Sequence, residues 1–192
     1  MMRHKICHKG TNMIRLNNDW EYTDRWDPAF LAGKEADCTV RLPHTVAELP
    51  LHCIDPLAYQ KHVGYRRTLY LPAEEAGRRQ FLQFDGAAHI MTLYVNGTRI
   101  GTHRNGYTAY RAEITDAVKY GADNVIVVEL DTTENPEVPP FGFAIDYLTY
   151  GGLYRDVWFD SRSTVYIEDV YAATPDLQTC IVEVRIDGDP EG

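Results

Sequence analysis

An all-β fold, built as an antiparallel β-sandwich, is the fold class the sequence predicts, and three observations predict it. Apolar and polar residues alternate with a period of two along most of the chain, the pattern of strands with one wet and one buried face. Turn-forming residues recur at intervals of about ten residues. The apolar spacing of a helix is nearly absent between them. Strands that follow one another so closely, with no helical crossovers, pair antiparallel, and a jelly roll is the expected version.

Residues 63–71 (VGYRRTLYL), 80–84 (QFLQF) and 89–95 (HIMTLYV) are the first clear strands, each rich in β-branched and aromatic side chains. The Asn96-Gly97 pair predicts a two-residue type I′ hairpin, because that turn needs positive φ at both positions. Residues 107–114 (YTAYRAEI) and 124–130 (NVIVVEL) read as further strands, joined by one helical turn over 115–119 that Thr115 or Asp116 would cap. Residues 132–150 break the alternation: nineteen positions hold three prolines and four aromatics. A loop that long in a compact domain is functional or disordered, and its aromatics argue against disorder. Residues 153–159 (LYRDVWF) form the next strand, and 160–164 (DSRST) read as a short linker.

Two more strands follow at 165–170 and 179–186. Cys180, Val182, Val184 and Ile186 place an apolar stripe on one face of the last. A lone hairpin is marginal in water, so the stripe either packs on the sandwich or belongs to a second domain. The second is expected. The organisation is therefore a flexible extension over 1–13, a jelly-roll domain over 14–161, and the start of a truncated second domain over 162–192.

Composition bounds the function. At 192 residues the chain has no room for two full enzyme domains. Its net charge of −9, without a basic patch, argues against nucleic-acid and anionic-membrane partners. No apolar run follows the charged amino terminus, so an export signal is not expected, and no window suits a membrane span. The four cysteines are too few for a disulfide scaffold and are expected to be free, mostly buried thiols in a cytoplasmic protein.

Motifs for nucleophilic, phosphoryl-transfer and hydride chemistry are missing: there is no GxSxG, P-loop, dinucleotide fingerprint or HExxH. His4, Cys7 and His8 lack a fourth zinc ligand. Asn96-Gly97-Thr98 matches the glycosylation sequon, but the hairpin turn already accounts for it. Paired carboxylates are the currency of glycoside hydrolysis. Glu134 and Glu137 read as solvated loop acids, whereas Asp146 is delivered among aromatic rings at the far side of the long loop from Asp131. Rings can cover the apolar face of a sugar while a carboxylate accepts from its hydroxyls. A carboxylate that only caps backbone N–H groups of the loop fits Asp146 equally well.

Five segments together resemble the amino-terminal, sugar-binding domain of family 2 glycoside hydrolases, the β-galactosidase and β-glucuronidase group. They are RLPHT (41–45), YRRTLYLP (65–72), LQFDGAAHIMTLYVNGTRIGTHRNGYTAY (82–110), ITDAVKYGADNVIVVELD (114–131) and IDYLTYGGLYRDVWF (145–159), in family order. The resemblance implies a galactose-binding-like jelly roll, with an immunoglobulin-like domain opening near Val165. It places the catalytic glutamates in a later TIM barrel, so no catalytic residue is assigned to this chain, which is expected to be inactive alone.

The resemblance also implies a sugar contact at the aspartate six positions before the second glycine of the GG motif, which here is Asp146 before Gly152. Tyr147 and Phe141 are its substrate-binding companions. No cofactor is expected in this chain, while a monovalent cation near Asp146 is implied for the complete enzyme. PPFGFAIDYLTYGG is closer to β-galactosidases than to glucuronidases, so a β-galactoside is the implied substrate. The remaining domains of the same enzyme are the implied partners, and the complete enzyme could form a homo-oligomer. Arg66, Arg67 and Arg155 match positions read as structural, pairing with carboxylates such as Asp85 or Asp156. The alternative function is an independent carbohydrate-binding module, for which thirteen tyrosines supply ring surface. A third is docking onto a separately encoded remainder of the enzyme.

Overall fold

The computed structural model describes residues 12–48, 50–53, 55–139 and 150–188. Its strands are β1 (Asn12–Arg15), β2 (Trp20–Thr23), β3 (Cys38–Val40), β4 (His62–Leu71), β5 (Arg79–Phe84), β6 (Ile90–Val95), β7 (Thr98–Arg104), β8 (Tyr110–Glu113), β9 (Ala122–Asp131), β10 (Val157–Arg162), β11 (Tyr166–Ala173) and β12 (Ile181–Asp187). A six-stranded sheet in the order β3-β2-β4-β9-β6-β7 faces a four-stranded sheet in the order β1-β10-β5-β8. Neighbouring strands pair antiparallel throughout. The fold is the all-β jelly-roll sandwich that the alternation predicts.

The longest ladder is β4 against β9, in register from His62 opposite Asp131 to Leu71 opposite Ala122. Val63, Tyr65, Met91, Leu93, Val95, Ile126, Val128 and Leu130 point inward from the larger sheet and meet Leu82, Phe84, Val157 and Phe159 of the smaller. All are essentially inaccessible to water. Burial of each such side chain contributes about 1.5–3 kcal/mol, which makes this row the main source of stability. Asn96 and Gly97 adopt φ of 51° and 82°, as the I′ turn requires. The Asn96 amide also donates to the Ala117 carbonyl and to Asn124 Oδ1, both at 2.8 Å. A glycan on that nitrogen would displace these bonds.

Several expectations are corrected. The segments that form β1, β2 and β3 do not stand out in the sequence, because three or four residues are too short to show alternation; Trp20, fully buried, anchors them. The strand expected over 107–114 is shortened to Tyr110–Glu113 because Asn105 Oδ1 accepts from the N–H groups of Tyr107 (2.8 Å) and Thr108 (3.1 Å) and turns the chain. The helical turn is a 3-10 turn over Thr115–Ala117 with Ile114 at the cap position and no side-chain cap. The Thr115 hydroxyl instead donates to Glu113 (2.7 Å) and accepts from the Gln80 N–H (3.0 Å).

Of the segment read as a linker, Asp160, Ser161 and Arg162 are the second half of β10. Its polar residues mimic a linker, yet Asp160 and Ser161 are buried and held by arginines distant in the chain: Arg111 of β8 lies 3.0 Å from Asp160, and Arg78, just before β5, bonds Ser161 at 2.9 Å. The cysteines are also corrected, since Cys38, Cys53 and Cys180 are all exposed. Cys38 lies on the edge strand β3, Cys53 in a loop at positive φ, and Cys180 just before β12 on an uncovered hairpin.

β11 and β12 form a separate two-stranded sheet. The register sets Ile167, Val170 and Ala172 beside Ile186, Val184 and Val182, so one face is wholly apolar, and it lies open to solvent. The hairpin touches the sandwich at one end, where the Tyr166 ring meets Phe81 edge-on at 5.8 Å and Asp187 pairs with Arg79 at 2.9 Å. No described helix is long and apolar enough to cross a membrane.

Candidate functional site

The candidate site is built where the long loop leaves β9 and returns toward β10. The outgoing leg is tied down at Thr132. Its N–H donates to the Lys61 carbonyl (2.8 Å), and its hydroxyl donates to the Tyr59 carbonyl (2.6 Å) and accepts from the Lys61 N–H (2.8 Å). Asp131 Oδ1 then accepts from the Thr133 N–H (2.9 Å), and Asn135 closes a tight turn by accepting from Glu137 and Val138. The Gly106 N–H donates to the Pro139 carbonyl (3.1 Å), so this leg reaches the turn before β8.

The returning leg passes between two walls. The Val46 N–H donates to the Gly151 carbonyl (3.0 Å) and the His44 N–H to the Leu153 carbonyl (2.8 Å) on one side, while Ala88 and Gly152 exchange N–H···O bonds of 3.1 and 3.2 Å on the other. Only glycine fits. A Cβ on Gly151 would collide with the Thr132 side chain, and one on Gly152, at φ +132°, with the His44 carbonyl. The GG motif is thus the place where the two legs cross at van der Waals distance.

Beneath the crossing lies a polar shell. His44 Nδ1 is 2.9 Å from the Tyr65 hydroxyl, and the Tyr22 ring meets the His44 ring edge-on at 4.8 Å. The Tyr22 hydroxyl donates to Asp24 (2.8 Å), which Lys61 Nζ also contacts at 2.7 Å; the same ammonium donates to the Val46 carbonyl (3.2 Å). Burial lowers the His44 pKa against the pull of Asp24, and burial with the Asp24 hydrogen bond raises that of Tyr22. Burial pushes Asp24 up, but hydrogen bonds from Lys61 and Tyr22 outweigh it and leave its carboxyl below the ordinary range. At neutral pH the shell therefore pairs one ammonium with one carboxylate beside neutral rings. At the rim, Tyr150 meets Tyr59 edge-on at 6.0 Å and is itself about half exposed, as is Tyr107.

Asp146, Tyr147 and Phe141 lie outside the described residues, as do His4, Cys7 and His8. Glu137 is exposed and stands 3.8 Å from Arg104, as befits a solvated acid, while Glu134 is half-buried. Arg66, Arg67 and Arg155 do not pair with the carboxylates of Asp85 or Asp156. Arg66 pairs with Glu21 at 2.5 Å and donates to the carbonyls of Phe30 and Lys34; Arg67 donates to the Leu16 carbonyl, and Arg155 to those of Asp85 and Tyr107. Asp85 accepts instead from Trp158 Nε1 (2.7 Å) and Asp156 pairs with Arg15 (3.3 Å), because those groups project from the same sheet face. Thr132 and Lys61 lie outside the segments that carry the resemblance, whereas His44 lies in RLPHT and Gly151 and Gly152 in IDYLTYGGLYRDVWF. Among the described residues no group of three His, Cys, Asp or Glu side chains is placed to hold a metal ion.

The family described as glycosyl hydrolases family 2, sugar binding domain, matches residues 32–162. A β-galactosidase of Thermoanaerobacter pseudethanolicus is 32% identical over 181 residues, covering 92% of this chain and 24% of that protein. A β-glucuronidase of Bacteroides fragilis is 37% identical over 156 residues, covering 78% of this chain and 21% of that protein. Among solved structures, a putative β-galactosidase from Bacteroides fragilis superposes with a TM-score of 0.79 at 30% identity, over 93% of this chain and 29% of that one. A β-glucuronidase from Ruminococcus gnavus in complex with D-glucuronic acid shares the fold, with a TM-score of 0.80 at 23% identity over 97% of this chain and 36% of that one. The chain thus spans about a quarter of the length of the curated relatives it matches.

Proposed function

Because the chain belongs to glycosyl hydrolase family 2 through its sugar-binding domain, we propose that it frames the pocket in which a terminal β-galactoside is held for hydrolysis by groups outside these 192 residues. The observation that carries this reading is the crossing at Thr132, Gly151 and Gly152. The two described ends of the loop are locked by backbone contacts on a rigid sandwich, and a fixed base is what a positioning element needs. Asp146 is the residue assigned to grip the sugar hydroxyls, with Tyr147 and Phe141 beside it. In the complete enzyme Asp146 would also stand near a monovalent cation.

Relatives named β-galactosidase and β-glucuronidase both match, so the choice between a neutral sugar and a uronate rests on charge. Residues 132–150 contain Glu134, Glu137 and Asp146 and no lysine, arginine or histidine. A uronate carboxylate brought to such a loop meets like charge, whereas a galactoside does not. The uncovered apolar face of the β11–β12 hairpin supports its being the opening of a second, immunoglobulin-like domain of the same enzyme, whose further strands would cover that face.

The test is hydrolysis and binding by the purified chain. No turnover of a nitrophenyl β-galactoside is expected, and no saturable galactose binding up to about 50 mM, well above the constants of useful sites. Turnover that survives repurification and vanishes in Asp146→Ala would overturn the framing role. Saturable binding in the low millimolar range without turnover would favour an independent carbohydrate-binding module.

A further inference from the structure

His89 immediately precedes β6 and is fully buried, yet neither ring nitrogen makes a hydrogen bond of good geometry to a described residue. A buried donor or acceptor without a partner is destabilising, a cost that a leucine of similar volume would avoid. The position is also particular. The His89 N–H donates to the Asp131 carbonyl (3.0 Å), where the outgoing leg leaves β9, and the preceding residue, Ala88, is bridged to Gly152 of the returning leg. The imidazole therefore stands at the junction of both legs. Backbone of Thr132 faces the ring, and the carboxylates of Glu134 and Asp131 lie within its electrostatic reach, although burial dominates and favours the neutral form.

We propose that His89 is a positioning residue for the described ends of the loop between β9 and β10, its ring held beside the backbone at Thr132 with its polar atoms available to both legs. The imidazole is then kept for its polar atoms and not for its volume. Its bearing on sugar binding rests on the function proposed above, but the anchoring itself does not.

Amide hydrogen exchange of the full chain, with His89→Leu and His89→Gln, tests it. Leucine should speed exchange at Thr132, Thr133, Val138, Gly151 and Gly152 by about tenfold or more while β4 and β9 interior amides are unchanged, since exchange reports local opening. Glutamine, which restores a donor and an acceptor, should recover most of that protection. Leucine exchange within about twofold of the parent at all five amides overturns the proposal. Should the leucine variant fail to fold, the ring nitrogens of the parent decide. A solvent-protected, hydrogen-bonded ring N–H on His89 supports the anchor, and a freely exchanging one overturns it. Loss of loop protection in His89→Leu, together with turnover by the parent chain that vanishes in Asp146→Ala, would sink the sugar reading and keep the anchor.

Discussion

Replacing Gly152 with alanine tests the geometry on which the site depends. The residue sits at φ +132°, and an added Cβ would come closer to the His44 carbonyl oxygen than real Cβ atoms approach, with Thr45 Cα 3.0 Å away. The backbone strain alone costs about 1–3 kcal/mol for a residue with a side chain. Overpacking against a fixed main chain adds about 1–3 kcal/mol, because neither His44 nor Thr45 can rotate out of the way. A total near 4 kcal/mol lowers the melting temperature of a chain this size by about 8–16 °C. Gly97→Ala is the control: its φ is +82°, but a Cβ there meets nothing within 4 Å. That substitution carries strain without collision, about 1 kcal/mol. Thermal and urea unfolding followed by circular dichroism separate the two. A Gly152→Ala protein as stable as Gly97→Ala, or within about 1 kcal/mol of the parent, would refute the threading of the returning leg past His44.

Two further outcomes follow from charge pairing. Glu75 is fully buried, its carboxylate accepting from the Ser161 hydroxyl and lying 3.3 Å from Arg78 Nε. Arg78→Met removes the cation beside that buried carboxylate and should cost about 3–5 kcal/mol in urea unfolding, of which Arg78→Met with Glu75→Gln recovers at least half; a double variant no more stable than the single one contradicts this. On the outer face of the smaller sheet, Arg79 joins Glu113 (2.7 Å) to Asp187 of the hairpin (2.9 Å). The Arg79 hydrogen bond holds Glu113 below its ordinary range, and the Tyr166 hydroxyl with Arg79 does the same for Asp187. Depressed folded values mean that this contribution is complete at neutral pH and fades as pH falls through and below about 4. Amide signals of Tyr166 and Ile167 should therefore shift below about pH 4 before those of Leu93 and Val128, and Arg79→Ala should abolish that early step; an unchanged step would separate the hairpin's docking from these carboxylates.

The alternation of long strands determined the fold class from sequence alone, because residues such as those of β4 and β9 repeat the inward-outward pattern often enough to be read. Asn96-Gly97 determined its hairpin by local φ preference, and the ordered motifs determined the family. Tertiary structure decided what local pattern does not encode. Asp160 and Ser161 resemble a linker until Arg111 and Arg78 arrive from distant parts of the chain, and the short β1 becomes a strand only through its pairing with β10. The exposure of Cys38 follows from an edge, which is a property of sheet order. Likewise the sequence shows Gly151 and Gly152 as a motif, but the reason they are glycine lies in Thr132 and His44, brought to them by strand pairing across the sandwich. A polar residue's role depends on its partner, and partners far apart in the chain meet only once the sheets have closed.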